Sequence, residues 1–253
     1  MTIDKLYLEV TRDCTLECEH CLRGEKQKQE MNTTTLENAL KDINQINTLL
    51  LTGGEPFLNI TVLEKLPEIL DRYEIDVRDL AIITNGTVYS KRHEKALKRL
   101  KESCESLRII VSADMFHRLE WNRLNIGKRV EENFELLKEQ FKATKDLEND
   151  SFHRVILNLQ GRAQKLSPEK LDLYKRRYYI EYVFKEPFEV TYSKEQDTIL
   201  GKVCVNASGY VVDYNKSFQT ADDEASVEEN VNVVPLPIII DGKIEKQKQN
   251  IKE

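Results

Sequence analysis

Short apolar runs alternate along this chain with amphipathic stretches, and that alternation limits the fold more than any other feature. Leu6-Tyr7-Leu8-Glu9-Val10, Thr48-Leu49-Leu50-Leu51, Leu80-Ala81-Ile82-Ile83, Leu107-Arg108-Ile109-Ile110-Val111 and Val155 to Leu159 read as strands, with Ile180 to Phe184 as a sixth. Between them apolar positions recur at helical spacing: Leu36, Leu40 and Ile43; Val62, Leu63, Leu66, Ile69 and Leu70; Leu97 and Leu100; Val130, Phe134, Leu137 and Phe141. Strands alternating with helices imply parallel pairing through right-handed crossovers. A continuously apolar strand such as residues 48–51 suits a sheet covered on both faces. Polar clusters follow the strands at their C-terminal ends, and in a parallel barrel such clusters gather on one rim, where active sites are built.

The first cluster holds Cys14-Thr15-Leu16-Glu17-Cys18-Glu19-His20-Cys21, three cysteines spaced C-x3-C-x2-C. Three thiolates within eight residues make a metal or cluster site, because soft sulfur ligands favour zinc, copper(I) or iron–sulfur clusters. A disulfide framework fits poorly, since the number is odd and Cys104 and Cys204 lie far away. Three ligands also leave one coordination position open, unlike a closed structural zinc or four-cysteine site. A zinc knuckle completed by His20 or a distant residue is the alternative.

A hydrophobic fraction of 40% supports a true core, and 253 residues suit one barrel domain. The net charge of −6 argues against a sequence-independent grip on nucleic acid. No apolar run reaches membrane-spanning length, and with no targeting segment a reducing cytoplasm is the expected compartment. After about residue 185 the texture changes. Phe188 to Tyr192, Val203 to Asn206 and Tyr210 to Tyr214 are strand-like, Ala207-Ser208-Gly209 makes a hairpin turn, and Val231 to Ile240 is an apolar stretch interrupted by Pro235 and Pro237. The expected organisation is a barrel over residues 1–185 and a small accessory β element with a charged, fraying tail over residues 186–253.

Taken with Gly53-Gly54-Glu55-Pro56 after the second strand, the cysteine loop resembles the radical S-adenosylmethionine superfamily, whose C-x3-C-x2-C motif follows the first strand of a partial (β/α)6 TIM-type barrel. The likeness covers roughly residues 5–185. His20 stands where the family usually has a carbocyclic aromatic ring. The resemblance implies a [4Fe–4S] cluster held by Cys14, Cys18 and Cys21, with S-adenosylmethionine chelating the open iron. One electron would then cleave a C–S bond, and the resulting 5′-deoxyadenosyl radical would take hydrogen from a substrate. It further implies that Gly53, Gly54, Glu55 and Pro56 receive the cofactor's ammonium. Thr84 and Asn85 after the third strand, Ser112 and Asp114 after the fourth, and Asn158 on the fifth would be further cofactor contacts. Gly161-Arg162-Ala163 is similar to a short stretch in peptide-modifying members.

The segment from Val203 to Val212 resembles the opening strand pair of the auxiliary-cluster (SPASM) module without its cysteines, so a single-cluster enzyme acting on a peptide or small amino-acid-like molecule is expected. Its electron would come from a reductase such as flavodoxin or ferredoxin. Glycyl-radical activating enzymes and queuosine-pathway carboxy enzymes are the competing readings, and a non-catalytic iron–sulfur electron carrier or sensor is the alternative of another class. Residue by residue, blander roles stay open. Ser112 and Asp114 suit a helix cap, and Cys104 suits packing. Cys204 is either a packed strand residue or a hydrogen donor to a substrate radical. His117, Arg118, Glu120 and Trp121 line a substrate pocket or sit in a solvated loop.

Overall fold

The computed structural model describes residues 1–146, 155–157, 161–177, 180–182, 190–212 and 226–250. Strands β1 (Thr2–Glu9), β2 (Gln45–Thr52), β3 (Asp76–Thr84) and β4 (Ser106–Val111) lie side by side, every neighbouring pair parallel. Helices α1 (Thr33–Leu40), α2 (Ile60–Arg72) and α3 (Lys91–Glu102) make the crossovers. Leu49, Leu50 and Leu51 are all buried, as a strand covered on both faces requires. On α3 the inward residues are His93, Ala96, Leu97 and Leu100. Cys104 packs beside that core and its Sγ donates to the Leu100 carbonyl at 3.1 Å, so packing is its role.

Two helices, not one, follow β4: α4 (Met115–Arg123) and α5 (Gly127–Phe141). The sequence shows no clean apolar face over 115–123, and α4 is set instead by its cap, with Asp114 Oδ1 accepting from the Phe116 and His117 amides. Arg118, Glu120 and Trp121 are therefore helical. A short β5 (Thr144–Lys145) extends the sheet beside β4. The expected fifth and sixth strands appear as β6 (Val155–Leu157) and β7 (Ile180–Tyr182), paired in parallel with each other and joined across α6 (Pro168–Arg177). The mostly parallel α/β architecture is that of a partial TIM-type barrel.

The C-terminal strands belong to the same sheet. β9 (Thr198–Val205) runs parallel to β1 with Tyr7 opposite Cys204, and β8 (Val190–Ser193) and β10 (Val211–Val212) pair with it antiparallel. The sheet has eight strands in the order β10-β9-β1-β2-β3-β4-β5, with β8 also on β9. The expected boundary at 185/186 falls outside the described residues. The apolar stretch around Pro235 and Pro237 opens a helix, α7 (Leu236–Asn250), which continues through the charged tail. Proline is tolerated in a first helical turn because its missing N–H would have no partner there. Leu236, Ile239, Ile240 and Ile244 anchor that helix on the main core.

One polar residue closes the neck of the loop that matters most. Residues 11–30 leave the sheet after Val10 and return at Met31, whose amide donates to the Val10 carbonyl at 2.9 Å. Buried Asn59 caps α2, accepting from the Val62 amide at 3.3 Å, while its Nδ2 donates to the Val10 and Met31 carbonyls at 2.8 and 2.9 Å. Asn59→Ala removes all three bonds, and buried groups left unsatisfied cost about 1–3 kcal/mol each where nothing replaces them. With Val10 keeping its second partner, a loss of about 3 kcal/mol is expected, lowering Tm by about 6–12 °C. Thermal unfolding followed by circular dichroism checks it; an unchanged melting curve would mean that the neck is held by other contacts.

Candidate functional site

The cysteine loop begins where β1 ends. Asp13 Oδ1 accepts from the Cys14 amide at 2.8 Å, and the Leu16 amide donates to Cys14 Sγ at 3.4 Å. Further on, the Cys21 amide donates to the Cys18 carbonyl at 3.1 Å and the Gly24 amide to the Cys21 carbonyl at 3.3 Å. These consecutive turns bring Cys14, Cys18 and Cys21 to one cavity of about 200 Å³, which they share with Gly53, Gly54, Thr84, Asn85 and Ser112. None of the three forms a disulfide.

The glycines are there for close approach. The Gly54 amide donates to the Thr11 carbonyl at 2.7 Å and the Glu55 amide to the Asp13 carbonyl at 2.8 Å, so the loop after β2 lies against the backbone leading into Cys14. A Cβ on Gly53 would stand 2.5 Å from the Thr11 oxygen. Glu55 itself does not line the cavity. Its carboxylate is wholly buried and accepts from Thr84 Oγ1 at 2.7 Å and from the amides of Asn85 and Phe57 at 2.6 and 2.9 Å. Burial pushes its pKa up to about 7 against the pull of those three bonds. It is a strut between the ends of β2 and β3, and Pro56 beside it starts the 3-10 turn Pro56–Leu58.

Asn85 reaches back to the cysteines: its Nδ2 donates to Thr15 Oγ1 at 3.0 Å and to Cys14 Sγ at 3.5 Å. Asp114 is likewise behind the wall, but its ring partners His20 and His117 line the cavity. Asp114 Oδ2 sits 2.7 Å from His117 Nδ1 and 3.3 Å from His20 Nε2, and the His20 ring stacks on Phe116 with centroids 4.3 Å apart. Burial alone would push the Asp114 carboxyl up, but the neighbouring imidazoles outweigh it and hold it well below the usual range. This His-Asp-His group escaped the sequence reading, although the i, i+3 pairing of the cap residue Asp114 with His117 in the first turn was its available signal.

Two arginines also line the cavity and were not foreseen there. Arg23 donates to Glu9 and to Thr52 Oγ1, both at 2.7 Å, and Glu9, fully buried, also receives Arg12 Nε at 2.7 Å. Arg162 donates from Nε to the Cys18 carbonyl at 2.9 Å. Of the predicted residues, Asn158 lies outside the described ones. Cys204 is buried between β1 and β10, beside Val212, Tyr7 and Tyr210, and does not line the cavity. Among the described residues its neighbours are packing contacts.

The donor set decides which group the cavity suits. Burial pushes the Cys14 thiol up to about 11 and Cys18 beyond that, and nearby acidic groups add to the rise. Three thiols gathered in one place become thiolates when a soft metal centre binds them. The residues present therefore fit an iron–sulfur group.

The sequence model of the Radical SAM superfamily matches residues 8–149, more than half of the chain. The chain belongs to that superfamily. Radical SAM proteins are enzymes, and membership implies an iron–sulfur cluster and S-adenosylmethionine. The chain is 34% identical over 100 residues to an uncharacterized protein of Methanocaldococcus jannaschii, a match covering 38% of this chain and 35% of that one. It is 31% identical over 99 residues to the antilisterial bacteriocin subtilosin biosynthesis protein AlbA of Bacillus subtilis, covering 37% and 21%. The matches thus span about a third and a fifth of these relatives. Among solved structures, anSMEcpe with bound AdoMet and Cp18Cys peptide superposes with a TM-score of 0.59 at 15% identity, covering 97% of this chain and 82% of that one. Among the described residues no helix is long and apolar enough to cross a membrane.

Proposed function

We propose that this radical SAM protein holds a [4Fe–4S] cluster through Cys14, Cys18 and Cys21 and uses S-adenosylmethionine to abstract hydrogen from a peptide or a small amino-acid-like substrate. The observation that carries this reading is the convergence of three cysteine thiols with the backbone of Gly53–Gly54 in one cavity. When bound, the reduced cluster supplies the electron that splits S-adenosylmethionine at its sulfonium, opening hydrogen-atom abstraction from a substrate. The chain's own residues do the rest. Gly53 and Gly54 leave room for a ligand's polar groups to approach the main chain. Glu55 keeps Thr84 and Asn85 in place, and Asn85 fixes the turn that bears Cys14. Ser112 and His20 present a hydroxyl and a flat ring to the same space. The peptide reading is supported by the peptide bound to anSMEcpe and by the bacteriocin role of AlbA.

The test is anaerobic reconstitution with iron and sulfide, then dithionite and S-adenosylmethionine, with 5′-deoxyadenosine quantified by chromatography. The wild type is expected to form it and Cys18→Ser is not. A wild type that carries its cluster and binds S-adenosylmethionine yet makes none would favour an electron carrier or sensor. Deuterium transfer from labelled peptides into 5′-deoxyadenosine then tests the substrate class.

A further inference from the structure

A strap 144 residues along the chain from Cys18 lies on the cysteine loop. Residues Gly161–Lys165 form a 3-10 turn whose Arg162 amide donates to the Cys21 carbonyl at 2.9 Å, while Arg162 Nε donates to the Cys18 carbonyl, also at 2.9 Å. Gly161 has φ of +55°, which favours glycine. A Cβ there would lie 2.5 Å from the Gly24 nitrogen and closer still to the carbonyl oxygens of Cys21 and Leu22. The strap thus sits flush on the backbone that carries two of the cysteines. Exposed pairs from Lys165 to Glu25 and from Lys170 to Glu19 flank it and add little by themselves.

The arginine has more than a bracing part to play. Its side chain is only 12% exposed, it lines the cavity, and its Nη1 is buried without a hydrogen bond among the described residues. The facing carboxylate, that of Glu25, is 3.8 Å away on a largely solvated side chain. Arg23, on the same cavity, is by contrast closed on buried Glu9 at 2.7 Å. Held 2.9 Å from the Cys18 carbonyl on the wall of the same cavity, the guanidinium places a positive charge beside the three thiols, where it suits an anionic group.

Resting on the proposed function, we infer that Arg162 is a positioning residue for the cluster: it locks the Cys18–Cys21 turn, and its charge offsets that of the three thiolates, holding the reduction potential up. Net charge and hydrogen bonding around the sulfurs set such potentials.

Wild type, Arg162→Gln and Arg162→Lys are reconstituted anaerobically and titrated potentiometrically with detection by electron paramagnetic resonance. Glutamine keeps a donor without the charge, and lysine keeps the charge without the fork. At an applied potential near the wild-type midpoint, Arg162→Gln is expected to show a reduced-to-oxidised ratio about tenfold lower, about 59 mV to the negative for a one-electron couple. Arg162→Lys is expected to stay near wild type. An Arg162→Gln chain that is folded by circular dichroism yet takes up no iron, while Arg162→Lys does, places the same charge requirement at assembly and also supports the inference. A wild-type potential in Arg162→Gln overturns it, as does equal loss in both variants, which would make the strap a brace and nothing more. A wild type that assembles no four-iron cluster overturns the proposed function and this inference together.

Discussion

Cys18→Ser is expected to leave the chain folded, without a cluster, and with 5′-deoxyadenosine at background. Cys18 is 5% exposed and packs with Leu16, Ala113, Phe116 and Trp121, so a hydroxyl in its place sits in largely apolar surroundings. Such burial without full hydrogen bonding costs about 1–3 kcal/mol by mutational measure. At about 2–4 °C per kcal/mol for a chain of this size, Tm falls by only about 2–12 °C. The chemical effect is far larger. A thiolate is a soft ligand and a serine alkoxide is not accessible near neutral pH, so one of the three proposed protein ligands is lost outright. Iron and acid-labile sulfide, the visible absorption of the reconstituted chain and the product assay report it together. Cys104→Ser is the matched control: its Sγ donates to the Leu100 carbonyl away from the cavity, a bond that a hydroxyl can keep. Full iron content and wild-type product in Cys18→Ser would remove this cysteine from the ligand set.

The two levels of structure were unequally legible in the sequence. The core strands β1 to β4 and the helices between them follow from local periodicity, and so does the position of each cluster after its strand. The three cysteines and the paired glycines could be brought to one rim by that alternation alone, and they share one cavity. What periodicity does not carry is pairing between distant segments. β9 joins the sheet beside β1 across some 190 residues, and nothing in Thr198–Val205 distinguishes such a strand from one in a separate hairpin. Arg162 reaches Cys18 from 144 residues away, and although Gly161-Arg162-Ala163 stands out as a motif, no local pattern announces that contact. Glu55 illustrates a subtler limit. A carboxylate after two glycines suits a bound cation, yet its side chain turns inward to Thr84 and the Asn85 amide, because a buried acceptor there satisfies the end of β3. Sequence placed the residue at the site but not the direction of its side chain.

Gly54→Ala is expected to uncouple the two loops that build the cavity. A Cβ at this position would stand 2.6 Å from the Asp13 carbonyl carbon and closer still to its oxygen, and the clash is with backbone that no rotamer change can relieve. Either the loop after β2 retreats, breaking the bonds from the Gly54 amide to Thr11 and from the Glu55 amide to Asp13, or the segment leading into Cys14 moves. Overpacking of this kind costs about 1–3 kcal/mol and occasionally more, so Tm should drop by about 6–12 °C at the upper end of that range. The effect on turnover is expected to exceed the effect on stability. Movement of about 1 Å in reacting groups costs about 100-fold in rate, and both routes of relief displace either the glycine wall or the first cysteine. The measurement pairs a melting curve with the initial rate of 5′-deoxyadenosine formation, and Gly127→Ala serves as the contrast. At Gly127, in the first turn of α5, a Cβ meets nothing within 4 Å, and alanine should stabilise the chain by about 0.4–1 kcal/mol with turnover unchanged. Equal behaviour of the two variants would show that the contact between the glycine loop and the cysteine loop does not set the geometry of the site. A loss of turnover confined to Gly54→Ala at temperatures where it remains folded would tie that contact to cofactor placement and not to stability alone.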